Sequence, residues 1–96
     1  MTRGRVEYAL QACVFARIPG FQQPWPAQIV RMWRKKRKER FIVTLFGTKP
    51  KEAHTVDRKQ LIPCNAVSRA RILTPAYRAK HLAALEELEA ALGDPE

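Results

Sequence analysis

The chain has 96 residues and a mass of 11.0 kDa, which is the size of one domain and excludes two. Hydrophobic residues make up 46% and charged residues 28%, the composition of a globular protein rather than a disordered one. Eighteen basic against nine acidic residues give a formal net charge of +9. This excess indicates a polyanionic partner, with nucleic acid first and an acidic membrane surface second. The short length permits only a modest core, which disfavours a large buried active site.

The positive charge is unevenly distributed. Residues 1–72 contain sixteen basic and four acidic residues, whereas residues 73–96 contain two basic and five acidic ones. Polyanion binding is therefore expected of the first, basic part. No apolar run approaches the ~18 residues of a membrane span, and the N-terminus lacks the apolar stretch of a secretion signal. We expect a soluble, intracellular protein that does not bind membranes.

Cysteines and histidines give no pattern of metal binding or catalysis. Cys13 and Cys64 are isolated thiols without a CxxC pair, and His54 and His81 have no partner at metal-binding spacing. The cysteines are expected to be small, buried apolar residues in a reducing compartment. A nucleophile, base and orienting residue do not cluster, and no glycine-rich phosphate loop occurs. The sequence therefore predicts no metal, no cofactor and no enzymatic activity.

The first predicted elements surround a tryptophan. Residues 3–11 are compatible with either a helical lead-in or an extended arm, because their apolar residues can share one helical face. Residues 12–18 form an apolar run that a proline-glycine pair ends, which predicts a first strand followed by a turn. Prolines on both sides of Trp25 exclude a helix there and predict that its indole lies on a stiff, extended segment.

Two further strands are predicted on either side of a basic run. Residues 27–33 predict a second strand, and residues 34–40, six of them basic, a solvated hairpin loop. The β-branched and aromatic run at 41–46 is the strongest strand signal, and residues 53–56 are compatible with a fourth strand. Strict alternation in the second strand places Ile29, Arg31 and Trp33 on one face and Gln28, Val30 and Met32 on the other.

The last part of the chain predicts helical structure. Asp57 is the expected N-cap of one short helical turn before Pro63. Thr74 followed by proline is an N-cap signal, and Gly93 stands at a helix C-cap position, which predicts one helix of about eighteen residues. Its expected buried stripe is Tyr77, His81 or Leu82, Leu85, Leu88 and Leu92, with Glu86, Glu87 and Glu89 facing water.

Three segments, in order and spacing, resemble a PWWP domain. They are VFARIPGFQQPWPA at 14–27, VTLFGT at 43–48 and QLIP at 60–63. The resemblance covers roughly residues 12–63, and the family also tends to have a variable C-terminal helical part. This chain carries one extra residue between Gly20 and Trp25, where members usually have one fewer.

The resemblance implies a mainly β fold with a C-terminal helix. Residues 1–11 would be an N-terminal arm or short helix, residues 12–64 a five-stranded SH3-like β-barrel, and residues 65–96 a helical part with its helix around 75–92. Such domains belong to the Royal superfamily of chromatin modules. They bind methylated lysine on histone tails through an aromatic cage and nucleosomal DNA through a basic surface. The resemblance thus implies a nuclear protein, part of a larger chromatin or transcription factor.

The cage is assigned by position from the resemblance. Its walls would be Phe21, Trp25 and Leu45, with Ile18 beside them and Thr48 where some members place an acid. Leu45 departs from the family, because most members have an aromatic residue there and leucine offers no π face to a cation. Alternatively, Phe21 and Trp25 simply close the barrel. Trp33 has three possible roles: an extra wall, a surface for stacking on a base, or a core residue.

The basic run is the expected DNA-binding element, and the resemblance places it near the cage. The predicted DNA-contacting residues are Arg17, Arg34, Lys35, Lys36, Arg37, Lys38, Arg40, Lys49 and Lys51. Clustered cations repel one another, a cost that a phosphate backbone offsets. A solvated loop and a nuclear import signal are the alternatives.

The working hypothesis is a module that binds both the lysine-thirty-six mark of histone H3 and nucleosomal DNA. One alternative is an SH3-like nucleic-acid-binding module without methyl-lysine recognition. The other is a protein-interaction domain that docks through its C-terminal helix.

Overall fold

A computed structural model describes residues 8–92, which form a sheet of five antiparallel strands, a short 3-10 helix and three α-helices. The strands are β1 (Cys13–Ala16), β2 (Trp25–Lys35), β3 (Lys38–Leu45), β4 (Ala53–Asp57) and β5 (Leu61–Pro63). The 3-10 helix spans Arg58–Gln60, and the α-helices are α1 (Ala66–Ile72), α2 (Pro75–Lys80) and α3 (Leu82–Leu92). The expected mainly β fold with C-terminal helical structure is confirmed. Of the ambiguous segment 3–11, residues 3–7 lie outside the described range.

The sheet is open within residues 8–92. Its strand order is β4-β3-β2-β1-β5, so β4 and β5 form the two edges. The closed barrel that the resemblance implies therefore stays a prediction. The 3-10 helix connects these two edge strands, and Asp57 precedes it as expected. The Gln60 side-chain oxygen accepts a hydrogen bond from the Asp57 backbone N–H at 3.1 Å, which closes this turn.

The basic run is a β-hairpin rather than the predicted loop. β2 continues to Lys35 and β3 begins at Lys38, so the turn consists of Lys36 and Arg37. Both turn residues have positive φ, 53° and 86°, the conformation whose twist matches that of a two-residue hairpin. The strands remain paired through the basic run although it is polar, because the hairpin projects into solvent and neither of its faces has to be apolar. The predicted strand at 41–46 was correct in kind but is longer at its start.

A bulge at Val30 reverses the faces of β2. The register shifts between Ile29 and Arg31, and Val30 has no partner in the ladder. Ile29 and Met32 therefore both lie opposite buried residues of β3, while Arg31 and Trp33 share the other face. The alternation predicted for this strand is wrong beyond Ile29, because one extra residue exchanges the two faces.

The core has two parts that lie on opposite sides of β1. Val14 and Ala16 pack with the inner face of the sheet, which includes Ile29, Phe41, Val43, Leu45 and Val56. Phe15 points the other way and packs under the helices with Phe46, Tyr77, Ala84, Leu85 and Leu88. β1 is therefore buried on both faces, which explains why its sequence is apolar without alternation.

The predicted C-terminal helix is broken at His81. Thr74 is its N-cap as expected, since the Thr74 hydroxyl accepts a hydrogen bond from the Tyr77 N–H at 3.2 Å. The single helix is wrong, because the backbone leaves helical geometry at His81 (φ −121°, ψ 34°) and divides α2 from α3. The buried His81 ring stacks on the Tyr77 ring at 4.0 Å, so side-chain packing accompanies the break. Gly93, the expected C-cap, lies outside the described residues.

The helical stripe and its acidic face need two corrections. Tyr77, His81, Leu85 and Leu88 are buried as expected, whereas Leu82 and Leu92 are exposed. Glu86 and Glu89 face water, but Glu87 accepts a hydrogen bond from the Gly47 N–H at 3.0 Å. Helix α1 was not predicted; the Asn65 side chain caps it by accepting a hydrogen bond from the Ser68 N–H.

The two cysteines lie at neighbouring ends of β1 and β5. Cys13 and Cys64 are free thiols and half-buried, so the expectation of buried residues is met only in part. Burial nevertheless raises the pKa of both thiols above the ordinary value. A higher pKa favours the protonated, unreactive form at neutral pH.

Candidate aromatic notch and basic hairpin

An open notch lies between the β1–β2 connection and the helical part. Its lining residues are Phe21, Gln22, Gln23, Trp25, Lys80 and His81. The notch has a volume of about 220 Å³, below the roughly 300–1,000 Å³ of ordinary small-molecule sites. It is large enough for the head of one side chain rather than for a whole cofactor.

A tight turn positions the Phe21 ring, and the start of β2 positions the Trp25 ring. The Phe21 N–H donates to the Ile18 carbonyl oxygen at 2.9 Å and closes a turn in which Gly20 has a φ of 93°. A side chain at this φ is strained, so the glycine suits the turn that presents Phe21. Trp25 opens β2, and its indole Nε1 donates to the Phe46 carbonyl oxygen at 2.8 Å. The indole orientation is thereby fixed.

Helix α2 supports the segment before Trp25. The Tyr77 hydroxyl donates a hydrogen bond to the Pro24 carbonyl oxygen. Burial raises the pKa of Tyr77, so this hydroxyl keeps its proton and remains a donor. The Thr74 cap, one turn earlier, sets where α2 begins and therefore where Tyr77 meets the loop.

The rings around the notch meet edge to face. Phe21 and Trp25 have centroids 5.4 Å apart and planes at 86°, and Trp25 meets His81 at 4.7 Å and 77°. On the other side, His54 meets Phe21 at 6.1 Å and 78°. Perpendicular rings offer π faces in different directions, the arrangement that surrounds a cation. His81 lines the notch, a role that was not predicted although the residue falls on the predicted helical stripe. His54 contacts Phe21 from outside the lining.

The other predicted cage residues do not line the notch. Leu45 is fully buried in the sheet core, and Ile18 is buried beside it. The Thr48 hydroxyl donates to the Leu45 carbonyl oxygen at 3.0 Å and accepts from the Glu52 N–H at 2.9 Å, so it braces the turn after β3. Of the five cage residues assigned by position, the structure brings Phe21 and Trp25 together at the notch.

The electrostatic environment of the notch is positive. Lys80 is the lining residue that carries a permanent positive charge. The nearby carboxylates are engaged elsewhere: Glu52 Oε1 lies 3.2 Å from His54 Nε2, and Glu87 Oε1 lies 3.1 Å from Lys51 Nζ. Glu87 also accepts the Gly47 N–H, and this bond, together with Lys51, lowers the pKa of its carboxyl group. Residues 8–92 contain no group of three potential metal ligands.

The predicted DNA-contacting residues fall at two separate ends of the molecule. Arg17 follows β1, and Lys49 and Lys51 follow β3, at the end of the sheet where Trp25 lies. The remaining ones, Arg34, Lys35, Lys36, Arg37, Lys38 and Arg40, lie on the β2–β3 hairpin and are exposed. The expectation that the basic run lies near the cage is wrong, because the strand that links them is long.

Strand length gives the size of this separation. β2 has 11 residues, with Trp25 at one end and Lys35 at the other. At about 3.3 Å per residue, the two ends are about 30 Å apart. The hairpin cations and the notch therefore lie far apart on the molecule.

One carboxylate partly offsets the hairpin charge. Glu39 accepts hydrogen bonds from Arg58 and also forms an ion pair with Arg34 at 3.7 Å. Arg34 and Glu39 lie on the side of the hairpin that faces the core. They form a pair two positions beyond the Met32–Phe41 pair, and residues two positions apart on a strand share a face. The positive charge on the other face of the hairpin is not offset by this carboxylate.

Comparison of the chain with models of known protein families and with the sequences of curated proteins gives no match. Within residues 8–92, no helix combines the length and the hydropathy needed to cross a membrane.

Proposed function

We propose that the chain is a chromatin-binding module of the PWWP type, which holds a methylated lysine of a histone tail in the notch and binds nucleosomal DNA with its cations. The proposal includes closure of the sheet into an SH3-like barrel and a place in a larger nuclear chromatin or transcription protein. The observation that carries it is the perpendicular pair of Phe21 and Trp25 beside an open notch.

The chemistry of the notch suits a quaternary ammonium group. Such a group has no hydrogen-bond donor and spreads its charge over methyl groups, so aromatic faces bind it without a polar partner. Phe21 and Trp25 provide two such faces, and His81 extends the aromatic lining. The lysine-thirty-six mark of histone H3 is the proposed ligand, because that tail leaves the nucleosome between the DNA gyres.

Two aromatic walls bind weakly by themselves. Each contributes about 0.5–2 kcal/mol, which corresponds to millimolar affinity or weaker. Cations at the notch end, including Arg17, Lys49 and Lys51, would add contacts to the neighbouring DNA. Joining two weak contacts on one nucleosome raises the overall affinity by roughly 10²-fold, provided both can form at once.

The test measures a ratio of affinities on whole nucleosomes. The dissociation constant is determined for unmodified nucleosomes and for nucleosomes trimethylated at lysine thirty-six of histone H3, in the wild type, Trp25→Ala and Phe21→Ala. We expect the wild type to prefer the methylated form and both variants to lose that preference. Trp33→Ala is the matched control, since Trp33 lies at the far end of β2 and should leave the ratio unchanged.

Two variants protect the test against misfolding. The Trp25 indole donates a hydrogen bond to the Phe46 carbonyl oxygen, so Trp25→Ala can lose stability. The Phe21 side chain forms ring contacts but no hydrogen bond, so Phe21→Ala tests the same notch without that loss. Circular dichroism checks that both variants are folded. A folded variant that still prefers methylated nucleosomes contradicts the assignment of the notch.

Burial of Leu45 and the presence of Lys80 in the notch favour a second candidate, an SH3-like nucleic-acid-binding module without methyl-lysine recognition. It predicts equal affinity of the wild type for both nucleosomes, while duplex DNA binding and its salt dependence remain.

A further inference from the structure

The outer face of the β2–β3 hairpin carries an exposed tryptophan among cations. Beyond the bulge at Val30, Arg31, Trp33 and Lys35 alternate onto one face of β2. Trp33 pairs directly with Arg40 of β3, and Lys35 pairs with Lys38, so both strands add cations to that face. Directly paired side chains on one face have Cβ atoms about 4.5–5.5 Å apart, and neighbours along a strand face about 7 Å. Four cationic residues are therefore the register neighbours of Trp33 on this face.

Trp33 differs from the other tryptophan in its surroundings. The residue is 39% exposed, and its ring meets none of the other aromatic rings within residues 8–92. Trp25, in contrast, meets two rings and donates a hydrogen bond to Phe46. Ring contacts and a hydrogen bond thus fix the conformation of Trp25, whereas Trp33 has no such contact within residues 8–92 and borders a cavity with Met32 and Phe41.

Negative charge on this face is confined to its edge. In the register Glu39 and Arg34 alternate onto the opposite face, where Glu39 pairs with Arg34 and Arg58. Trp33 also borders a cavity that Arg34 and Glu39 line. Asp57 of β4 is the acidic residue next to the patch, and it lies opposite Arg40 in the register. The register therefore places Arg31, Lys35, Lys38 and Arg40 on the same face as Trp33, with Asp57 at the edge of this set.

We propose that this hairpin face, defined by Trp33 and its four flanking cations, binds single-stranded nucleic acid by stacking an unpaired base on the indole. The cations would neutralise the phosphates on either side of the stacked base. Base–aromatic stacking tolerates any sequence because every base has a π face, and it contributes about 1–3 kcal/mol per base. The proposal is independent of the notch and goes beyond duplex binding, since the faces of bases in a duplex are already stacked.

Charge selects this occupant over a protein partner. The cores of protein–protein interfaces are depleted in charged residues, whereas grooves for single strands combine positive charge with aromatic side chains. An exposed indole with four cationic register neighbours matches the second description. A protein that covered Trp33 would have to desolvate those cations or supply an equal number of carboxylates.

The experiment separates stacking from phosphate contacts. Fluorescence anisotropy measures the affinity of the whole chain for an oligothymidylate of about twelve nucleotides, for an abasic strand with the same phosphates, and for a duplex. We expect Trp33→Ala to weaken oligothymidylate binding roughly 5- to 150-fold, the range that stacking of one base gives. Binding of the abasic strand and of the duplex should not change, and Trp33→Phe should retain most of the affinity.

Two further arms make the outcome unambiguous. Trp25→Phe leaves Trp33 as the one tryptophan, so quenching of its emission by oligothymidylate but not by the abasic strand reports stacking directly. An oligouridylate of equal length tests RNA, and similar affinity is expected because stacking does not involve the sugar. Equal losses of affinity for all strands in Trp33→Ala, or no loss for oligothymidylate, overturn the proposal. Trp33-dependent self-association in sedimentation experiments would also overturn it, by showing that a second copy covers this face.

Discussion

Gly47 lies directly against the backbone of Ala84. A Cβ atom built on Gly47 would be 2.7 Å from the Ala84 Cα and 2.7 Å from its nitrogen. Gly47 also has a φ of 80°, which side chains rarely adopt, and its N–H donates to the Glu87 carboxylate one helical turn further along α3. The end of β3 and the first half of α3 are therefore held together at one glycine, close to the connection that carries Lys49 and Lys51.

This contact predicts a large loss of stability for Gly47→Ala. Positive φ alone costs an alanine about 1–2 kcal/mol, and displacing the Ala84 backbone adds about 1–3 kcal/mol. Gly20→Ala is the matched control, because Gly20 has a φ of 93° but nothing within 4 Å of an added Cβ. Urea unfolding should show Gly47→Ala as clearly the less stable variant. Equal losses would mean that α3 is not seated on Gly47.

The Glu87 carboxylate predicts a dependence of stability on acid. Its pKa is lowered first by the hydrogen bond from the Gly47 N–H and then by Lys51. A group whose pKa is lower in the folded than in the unfolded state stabilises the fold above the unfolded pKa and loses that contribution as the pH falls through the folded one. Because the pair with Lys51 is exposed, we expect the contribution to be at most about 1 kcal/mol.

Glu87→Gln isolates this contribution, since the amide keeps an oxygen acceptor for Gly47 but carries no charge. The free energy of unfolding of the wild type should exceed that of the variant at pH 7. The difference should begin to shrink below the ordinary glutamate pKa of 4.5 and disappear once the pH has fallen through the lower pKa of the folded state. Glu89→Gln, on the exposed side of the same helix, is the control. A difference between Glu87→Gln and wild type that persists unchanged at pH 3 contradicts the assignment.

Elements with local signals were predictable from the sequence. The strand at 41–46 is dense in β-branched and aromatic residues, and the Thr74 cap depends on a side chain only three residues from the N–H that it accepts. Likewise, flanking prolines correctly indicated that Trp25 lies in extended structure. In each of these cases, the residues that determine the structure are neighbours in the chain.

Features determined by distant contacts were not predictable. The hairpin at 35–38 has charged residues on both faces. Its sequence therefore lacks the alternation of apolar and polar residues that predicts a strand. The helix break at His81 accompanies ring packing against Trp25, which is far away in sequence. For the notch, the resemblance to PWWP domains pointed to Phe21 and Trp25, which the structure brings together. It also pointed to Leu45, whose burial depends on the register of the assembled sheet.

Lys80 is expected to lower the affinity of the notch for a cation. A positively charged side chain among the lining residues opposes a methylated ammonium through Coulomb repulsion, which amounts to about 1 kcal/mol at 4 Å when water screens the pair fully, as it does in an open notch. Lys80→Gln should therefore tighten binding of a trimethyl-lysine histone peptide by roughly 2- to 5-fold. Chemical-shift titration measures this, and Lys59→Gln, which removes an equal charge from the 3-10 helix, is the control. Equal gains in both variants would indicate a net-charge effect rather than a contact in the notch.

The hairpin predicts a salt-dependent DNA affinity that is independent of the notch. Lys35 and Lys38 pair with each other, so the double change to Glu replaces one like-charged pair by another and leaves the turn residues intact. If each lysine neutralises one phosphate, the slope of log affinity for duplex DNA against log salt should become less steep by about 0.9 for each lysine replaced.

The corresponding double change of Arg69 and Arg71 to Glu, on exposed positions of α1, alters net charge equally and tests whether location matters. We expect the hairpin variant to lose more DNA affinity and salt dependence than the α1 variant. Its preference for methylated over unmodified nucleosomes should equal that of the wild type, because sites farther apart than about 10 Å contribute independently. A methyl preference that falls with the hairpin charges would show that the two ends of β2 act as one site, despite the length of the strand between them.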